Sequence, residues 1–199
     1  MADHYYSSKP ETAHDRRTIE TVLRGRKFRF TSDAGVFSKQ GVDYGSKVLI
    51  EAMEIGDRDQ VLDVGCGYGP IGLSAAVMAS SGHVTMIDVN ERAVGLAAEN
   101  AKANGISNVT ALQSDIYTNV PEVEKFDVIL TNPPIRAGKS VVHSVFEGAY
   151  ARLKQGGSLW IVIQKKQGAP SAKEKLEQLF RSVEEVTKDK GYRIFKAVK

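Results

Sequence analysis

With a single cysteine, Cys66, among 199 residues, the sequence has no means of forming an intramolecular disulfide, and one thiol does not build a zinc site. That usage fits a reducing compartment, and the expected location is cytoplasmic. Long apolar runs are missing as well: no stretch approaches the ~18 residues that would span a bilayer. The opening segment MADHYYSSKPETAHDRR lacks the apolar core of a secretory signal, and its acidic residues interrupt the pattern of a transit peptide. Charge of one sign is also scarce. Lys and Arg number 27 against 24 Asp and Glu, a net +3 that by itself says little about partners. What remains, 42% hydrophobic and 26% charged residues, suits one globular domain large enough to bury a core.

The local distribution of charge says more. From Arg16 to Phe30 the chain reads RRTIETVLRGRKFRF, setting Arg16, Arg17, Arg24, Arg26, Lys27 and Arg29 against Glu20 alone. Two readings stand: a patch that holds phosphates, or the water-facing side of an edge hairpin, where charge discourages sheet-to-sheet association.

β-Branched and aromatic residues on either side of Arg24-Gly25 predict that hairpin, with strands over Thr18–Leu23 and Lys27–Thr31. A loop and a helix carrying Val48, Leu49, Ala52 and Met53 follow. From residue 61, short apolar runs alternate with amphipathic stretches, the pattern of βαβ units around a parallel sheet buried on both faces. VLDVG, HVTMID, VTALQ, FDVILT and SLWIVI read as its strands, the last led in by a Gly156-Gly157 turn. Pro70 suits the first turn of a helix expected to run to Gly82. Asn90 caps the next, which presents Val94, Ala97, Ala98 and Ala101 and stops at Gly105. SVVHSVFEGAYARL presents Val142, Val145, Phe146, Ala149 and Leu153. Ser171 and Glu174 form a capping box for a helix with Leu176, Leu179 and Phe180, and VEEVT and YRIFKAV close the chain as a hairpin.

Val61–Gly69, VLDVGCGYG, places three alternating glycines where a strand becomes a helix, so that backbone can approach a flat ligand. Gly67–Gly72 also matches the dinucleotide pattern GxGxxG, a weak signal alone. Three carboxylates favour S-adenosylmethionine over a pyrophosphate cofactor. Asp63 lies two residues before Gly65, where it meets a water or the ammonium of a zwitterion but repels a pyrophosphate. Asp88 ends the second strand about 25 residues later, placed for ribose hydroxyls. Asp115 follows the third, placed for the adenine amino group. The competing readings are a loop cap for Asp63, a helix-entry partner for Asp88 and a turn former for Asp115.

FDVILT runs directly into Asn132-Pro133-Pro134-Ile135. Two prolines stiffen a loop at a strand end and fix its carbonyl directions. An amino group on a base, or an amide NH2, has a delocalised lone pair and is a poor nucleophile. The Asn132 side-chain oxygen and the Pro133 carbonyl can accept its two hydrogens, favour a pyramidal nitrogen and aim its lone pair. No strong base is then needed. Arg136 and Lys139 either meet phosphates or stay solvated; His143, among apolar neighbours, reads as structural, and Cys66 as a small turn residue rather than a nucleophile.

HYYSSKP, LRGRKFRFTSDAGVFSKQGVDYGS, VLDVGCGYGPIG, TNPPIRAGK and GYRIFKA together resemble segments of the rRNA small subunit methyltransferase C family, from His4 to the end of the chain. The resemblance implies a Rossmann-like class I methyltransferase: an α/β fold with a seven-stranded, mostly parallel sheet, helices on both faces and an N-terminal β-hairpin. The organisation expected is one domain over 1–199, with hairpin and loop over 1–40 and core over 41–199. The cofactor residues expected are Asp63, Gly65, Cys66, Gly67, Gly69, Asp88, Asp115, Ile116 and Asn132. Those at the reacting amine are Asn132, Pro133 and Pro134, and those at the substrate are Phe37, Ile135, Arg136 and Lys139, with Ser38 and Asp43 beside Phe37 in a loop closing over the site and no metal. The partner implied is RNA, ribosomal RNA or the small subunit, methylated at guanine N2 on a base drawn out of its stack. Two features depart from the family: members active on ribosomal RNA resemble two tandem domains, and an aromatic follows their Asn-Pro-Pro where Ile135 stands here. Methylation of another planar amine, adenine N6 or a protein glutamine amide, and a non-catalytic cofactor-binding module associated with RNA are the alternatives.

Overall fold

The computed structural model describes residues 5–199, so His4, which opens the HYYSSKP segment, lies outside the described residues. The hairpin is β1 (Arg17–Leu23) and β2 (Arg26–Ser32), closed by Arg24 and Gly25 with φ of 48° and 76°. Two positive φ values make this a turn whose twist matches the strands it joins. Then come α1 (Tyr44–Ala52), β3 (Gln60–Val64), α2 (Pro70–Met78), β4 (His83–Asp88), α3 (Glu91–Ala103), β5 (Val109–Gln113), β6 (Phe126–Thr131), α4 (Lys139–Arg152), β7 (Leu153–Gln164), α5 (Ala169–Leu179), β8 (Ser182–Asp189) and β9 (Tyr192–Val198).

The main sheet has seven strands in the order β5-β4-β3-β6-β7-β9-β8. Strands β3 to β7 are mutually parallel, and β9 and β8 add antiparallel at one edge. The expected seven-stranded, mostly parallel sheet with an N-terminal hairpin is therefore what the chain forms. Alternate side chains divide the core in two: Val128, Leu130, Trp160 and Val162 pack with α1, α2 and α3, while Ile129, Leu159, Ile161 and Ile163 pack with α4 and α5. Period-two alternation with both faces apolar is why these strands read as continuous hydrophobic runs. The chain adds β4 and then β5 on one side of β3 and crosses back to add β6 and β7 on the other, which leaves a crevice at the carboxyl ends of these strands.

Several boundaries differ from the sequence reading. Helix α2 ends at Met78, and Gly82 is not its terminator: a Cβ there would lie 2.1 Å from the Asp59 carbonyl, so glycine is needed for close backbone approach. In α3 the buried face is Ala93, Leu96, Ala97, Asn100 and Ala101, with Ala98 exposed, because the hairpin covers one flank of the helix. The Ser171–Glu174 capping box does not form. Gly168, at φ 98°, starts α5 and Pro170 occupies its first turn, which puts Ser171 inside the helix. Strand β7 begins at Leu153 and passes through Gly156-Gly157, because Gly156 N–H bonds the Lys199 carbonyl and Lys199 N–H the Gly157 carbonyl, so these glycines pair with the C-terminal residue instead of only turning.

The outer edge of β2 is closed by two asparagines one turn apart, Asn100 in α3 and Asn104 capping its carboxyl end. Asn100 accepts from Thr31 N–H (2.7 Å) and donates to the Thr31 carbonyl (3.0 Å); Asn104 does the same for Arg29 (3.0 and 2.9 Å). Each amide imitates the next strand, satisfying an edge that would otherwise pair with another chain. Asn100 is fully buried and also donates to the Tyr68 carbonyl (2.8 Å). Asn100→Ala strands these partners and should cost roughly 1–3 kcal/mol in denaturant unfolding with little change in m-value; a variant as stable as the native protein would remove the clamp from the account.

Candidate active site

The turn from β3 to α2 is shaped by Gly65 and Gly67, at φ of 74° and 55°. Both line a cavity of about 770 Å³ at the carboxyl ends of the parallel strands, and a Cβ on either would meet no protein atom within 4 Å. Their bareness therefore leaves space for a ligand rather than for packing. Gly65 and Cys66 N–H groups bond the Ile87 carbonyl (2.8 and 2.9 Å), which ties the turn to the end of β4. Gly69 caps α2 behind this surface, against Leu73, and does not line the cavity. Cys66 is buried beside a smaller pocket of about 40 Å³, and burial pushes its thiol well above the usual range, which makes it a poor nucleophile.

Three carboxylates stand at the ends of adjacent strands in different environments. Asp88 lines the cavity, accepting from Gly67 N–H and Asn90 N–H (both 2.9 Å); burial raises its carboxyl against the pull of those amides. Its bond to Asn90 shows that it also serves helix entry. Asp115 is exposed on the cavity wall, while its own carbonyl takes the turn-forming bonds from Thr118. Asp63 is completely buried beneath the turn, outside the cavity lining, and neither of its oxygens has a hydrogen-bond partner among the described residues. It caps no loop. Burial pushes its carboxyl up to about 7, the Gly72 amide pulls the other way without completing a bond, and the Asp88 charge adds to the rise.

Opposite, at the end of β6, Asn132 is held by its amide nitrogen. Nδ2 donates to Asp43 Oδ2 (3.1 Å) and Ser46 Oγ (3.0 Å). A carboxylate cannot donate, so the atom facing it is the NH2, and Oδ1 is the atom left for another donor. Asp43 also caps α1 through Ser46 N–H (3.0 Å). Ile135 N–H bonds the Pro133 carbonyl (2.8 Å) around Pro134, whose φ of −76° and ψ of 77° make an inverse γ-turn. One lone pair of that carbonyl is engaged, and the second stays available.

The cavity gathers Phe37, Ser38, Asp43, Gly65, Gly67, Asp88, Asp115, Ile116, Asn132, Pro133, Pro134, Ile135 and Arg136. It does not gather Lys139, which opens α4 in solvent, nor His143, which packs on Phe146. Ile116 and Ser38 sit at φ of 51° and 55°, strained values for residues with a Cβ and unreadable in advance. Sequence reasoning also missed Tyr5, Tyr6, Gln164, Gln167 and Tyr192 on the wall. Tyr5 packs against Phe37 (ring centroids 5.1 Å apart) and its carbonyl accepts from Asn90 Nδ2 (3.1 Å). Burial raises its hydroxyl pKa, with Arg136 pulling it down and Tyr6, Asp43 and Asp88 pushing it up. The two adjacent tyrosines in a polar lead-in were the available signal.

The basic stretch lies elsewhere. Arg24 donates to the carbonyls of Ile50, Glu51 and Met53, and Arg26 to that of Asn104, at the helix ends that lead into the amino ends of β3 and β5. Arg16 pairs with Glu99 and Arg17 with Asp15. Arg24 and Arg26 thus serve backbone carbonyls and Arg16 and Arg17 carboxylates, a use of the hairpin's charge that neither sequence reading gave.

Glycines beneath open space, unpartnered acid near them and an anchored amide across the cavity suit a nucleoside that carries a charged amino-acid tail. The fold and site define the class of Rossmann-like methyltransferases that draw their methyl group from S-adenosylmethionine. The chain belongs to the Methyltransferase small domain family, which matches residues 27–196. It is 57% identical to the uncharacterized protein YbxB of Bacillus subtilis over the full length of both. It is 30% identical to the ribosomal RNA small subunit methyltransferase C of Erwinia tasmaniensis, over 83% of this chain and 48% of that protein. Its fold matches the Thermus thermophilus 16S rRNA N2 G1207 methyltransferase, solved with S-adenosylmethionine and guanosine, at a TM-score of 0.84 and 29% identity, over 96% of this chain and 52% of that one. The chain thus spans about half the length of the ribosomal RNA methyltransferases it matches.

Asp63 gives the site a pH signature. The folded carboxyl keeps its proton to about pH 7, whereas an unperturbed one loses it near 3.8, so the folded protein binds more protons between these values and stability falls as pH rises through that window. Asp63→Asn removes the penalty and should gain on the native protein in thermal unfolding between about pH 5 and about pH 8, by at most ~4 kcal/mol. Parallel pH profiles for the two proteins would contradict an ionising, unpaired Asp63.

Proposed function

We propose that this protein transfers the methyl group of S-adenosylmethionine to an exocyclic amine of RNA, guanine N2 of ribosomal RNA. The observation that carries the reading is the anchoring of Asn132 through its amide nitrogen, which leaves its oxygen as an acceptor at the cavity. When bound, the cofactor supplies a methyl group already activated by its sulfonium, so positioning contributes more than base strength. Gly65 and Gly67 leave room for its body, Asp88 accepts from ribose hydroxyls, Asp115 from the adenine amino group, and the positive charge of its ammonium or sulfonium favours the ionised form of buried Asp63. Asn132 Oδ1 and the free lone pair of Pro133 O take the two hydrogens of the target amine and orient its nitrogen.

The hook reads an NH2 group, which adenine N6 and a glutamine amide also offer. Guanine is favoured by the likeness to the 16S rRNA N2 guanine enzyme and to methyltransferase C. Where Ile135 supplies no aromatic face, the rings of Tyr5, Tyr6, Phe37 and Tyr192 on the same cavity supply one for an extruded base.

Incubation with labelled S-adenosylmethionine and unmodified ribosomal RNA, as free RNA and as assembled subunits, followed by digestion to nucleosides, should yield labelled N2-methylguanosine. Label confined to protein would overturn the RNA assignment. Asn132→Ala should lower kcat by roughly 10²-fold while cofactor binding changes little. Asp88→Ala should instead weaken cofactor binding by about 1.5–3 kcal/mol, read by titration calorimetry.

A further inference from the structure

On the side away from Asp88 and Asp115, Arg136 lines the cavity and several lysines adjoin its wall residues along the chain. Because β9 runs antiparallel to β7, with Gln164 opposite Tyr192, the β8–β9 turn lies at the same end of the sheet as the carboxyl end of β7. Lys165 N–H bonds the Gly191 carbonyl (2.8 Å), joining the two turns, and Arg136 stands at the end of β6 in the same crevice. Gln164, Gln167, Tyr192 and Arg136 line the cavity, so Lys165 and Lys166, between the two glutamines, stand at its mouth.

Arg136, Lys165, Lys166, Lys188 and Lys190 are all exposed. None forms an ion pair among the described residues, where the pairs belong to other cations. Asp189, the acid in these turns, accepts from the Tyr44 hydroxyl, and Lys190 lies 4.8 Å from the Tyr44 ring centre. Cations without ion pairs on the β6–β7–β9 side, with Asp88 and Asp115 on the other and Asp43 engaged by Asn132 and Ser46 between them, bias the field so that a polyanion is drawn to one side. Of the hairpin arginines, Arg24 and Arg26 are bound to backbone carbonyls at the amino end of the sheet, and Arg16 and Arg17 are paired with carboxylates.

We infer that this rim, with Lys165 and Lys166 at its centre, holds the phosphates of the RNA whose target base enters the cavity. The inference rests on the RNA reading above and adds where the backbone runs: over the β6–β7–β9 side, with the cofactor half facing away. Such contacts set position and orientation without reading sequence.

The test compares two charge reversals of equal size in the full-length protein, Lys165→Glu/Lys166→Glu at the rim and Lys27→Glu/Arg29→Glu on the exposed face of the hairpin. The probe is a transcribed, unmodified small-subunit ribosomal RNA fragment, titrated at several salt concentrations. The rim pair should weaken binding roughly 10-fold or more and flatten the slope of log K against log salt by about 1.5 to 2, while the hairpin pair stays within about 2-fold of native. Titration with S-adenosylmethionine, expected to be the same for all three proteins, reports that each is folded. RNA binding by the native protein that the rim pair matches, or that the hairpin pair loses instead, overturns the rim and leaves the proposed function standing. Cofactor binding by the native protein with no RNA binding at any salt overturns the proposed function itself.

Discussion

A carboxylate accepts hydrogen bonds and donates none, and the site is organised around that asymmetry at Asp43. One Asp43 oxygen takes both the Ser46 amide at the start of α1 and the Asn132 amide nitrogen at the end of β6. A helix entrance and a strand end far apart in sequence are thereby fixed to each other. With Ser46 Oγ taking a second bond from Asn132 Nδ2, the side-chain amide has one permitted orientation. In that orientation Oδ1 is the atom left for a donor, and the proposed reception of an amine depends on it. Asp43 thus fixes the orientation of the Asn132 side chain.

Around this anchor the protein tolerates local costs. Asp63 is buried with no hydrogen-bond partner among the described residues, and Ile116 and Ser38 hold left-handed backbone conformations on the cavity wall. Such features persist where the surroundings over-determine them. Here the surroundings are two apolar layers on a sheet buried on both faces, and a hairpin bound to α3 by Asn100 and Asn104. Stability is concentrated beneath the carboxyl ends of the strands, and strain at them.

The same end of the sheet is divided electrostatically. Asp63 and Asp88 lie at the carboxyl ends of β3 and β4 and Asp115 follows β5, whereas Arg136 follows β6, Lys165 and Lys166 follow β7, and Lys188 and Lys190 lie at the β8–β9 turn. The strand order creates the division, because the strands up to β5 build one flank and those from β6 onward the other. Carboxylates on one flank suit hydroxyl, amino and ammonium groups, and cations on the other suit phosphate.

What the sequence determined by itself is whatever depends on near neighbours along the chain. Period-two apolar runs specify buried strands, VLDVGCGYG specifies a bare turn after a strand, and Asn-Pro-Pro-Ile specifies a stiff hook, because backbone geometry and residue type suffice for each. Family resemblance, not periodicity, carried the count of strands. Only the tertiary structure decided which atoms of those motifs are spoken for. Asn132 is oriented by residues 86 and 89 positions earlier, Tyr5 reaches Asn90 across 85, and the hairpin arginines are consumed by helix ends they approach only after folding. A charged stretch reads the same in a sequence whether its partners are phosphates or carbonyls; desolvation and distance, set by long-range packing, make the choice.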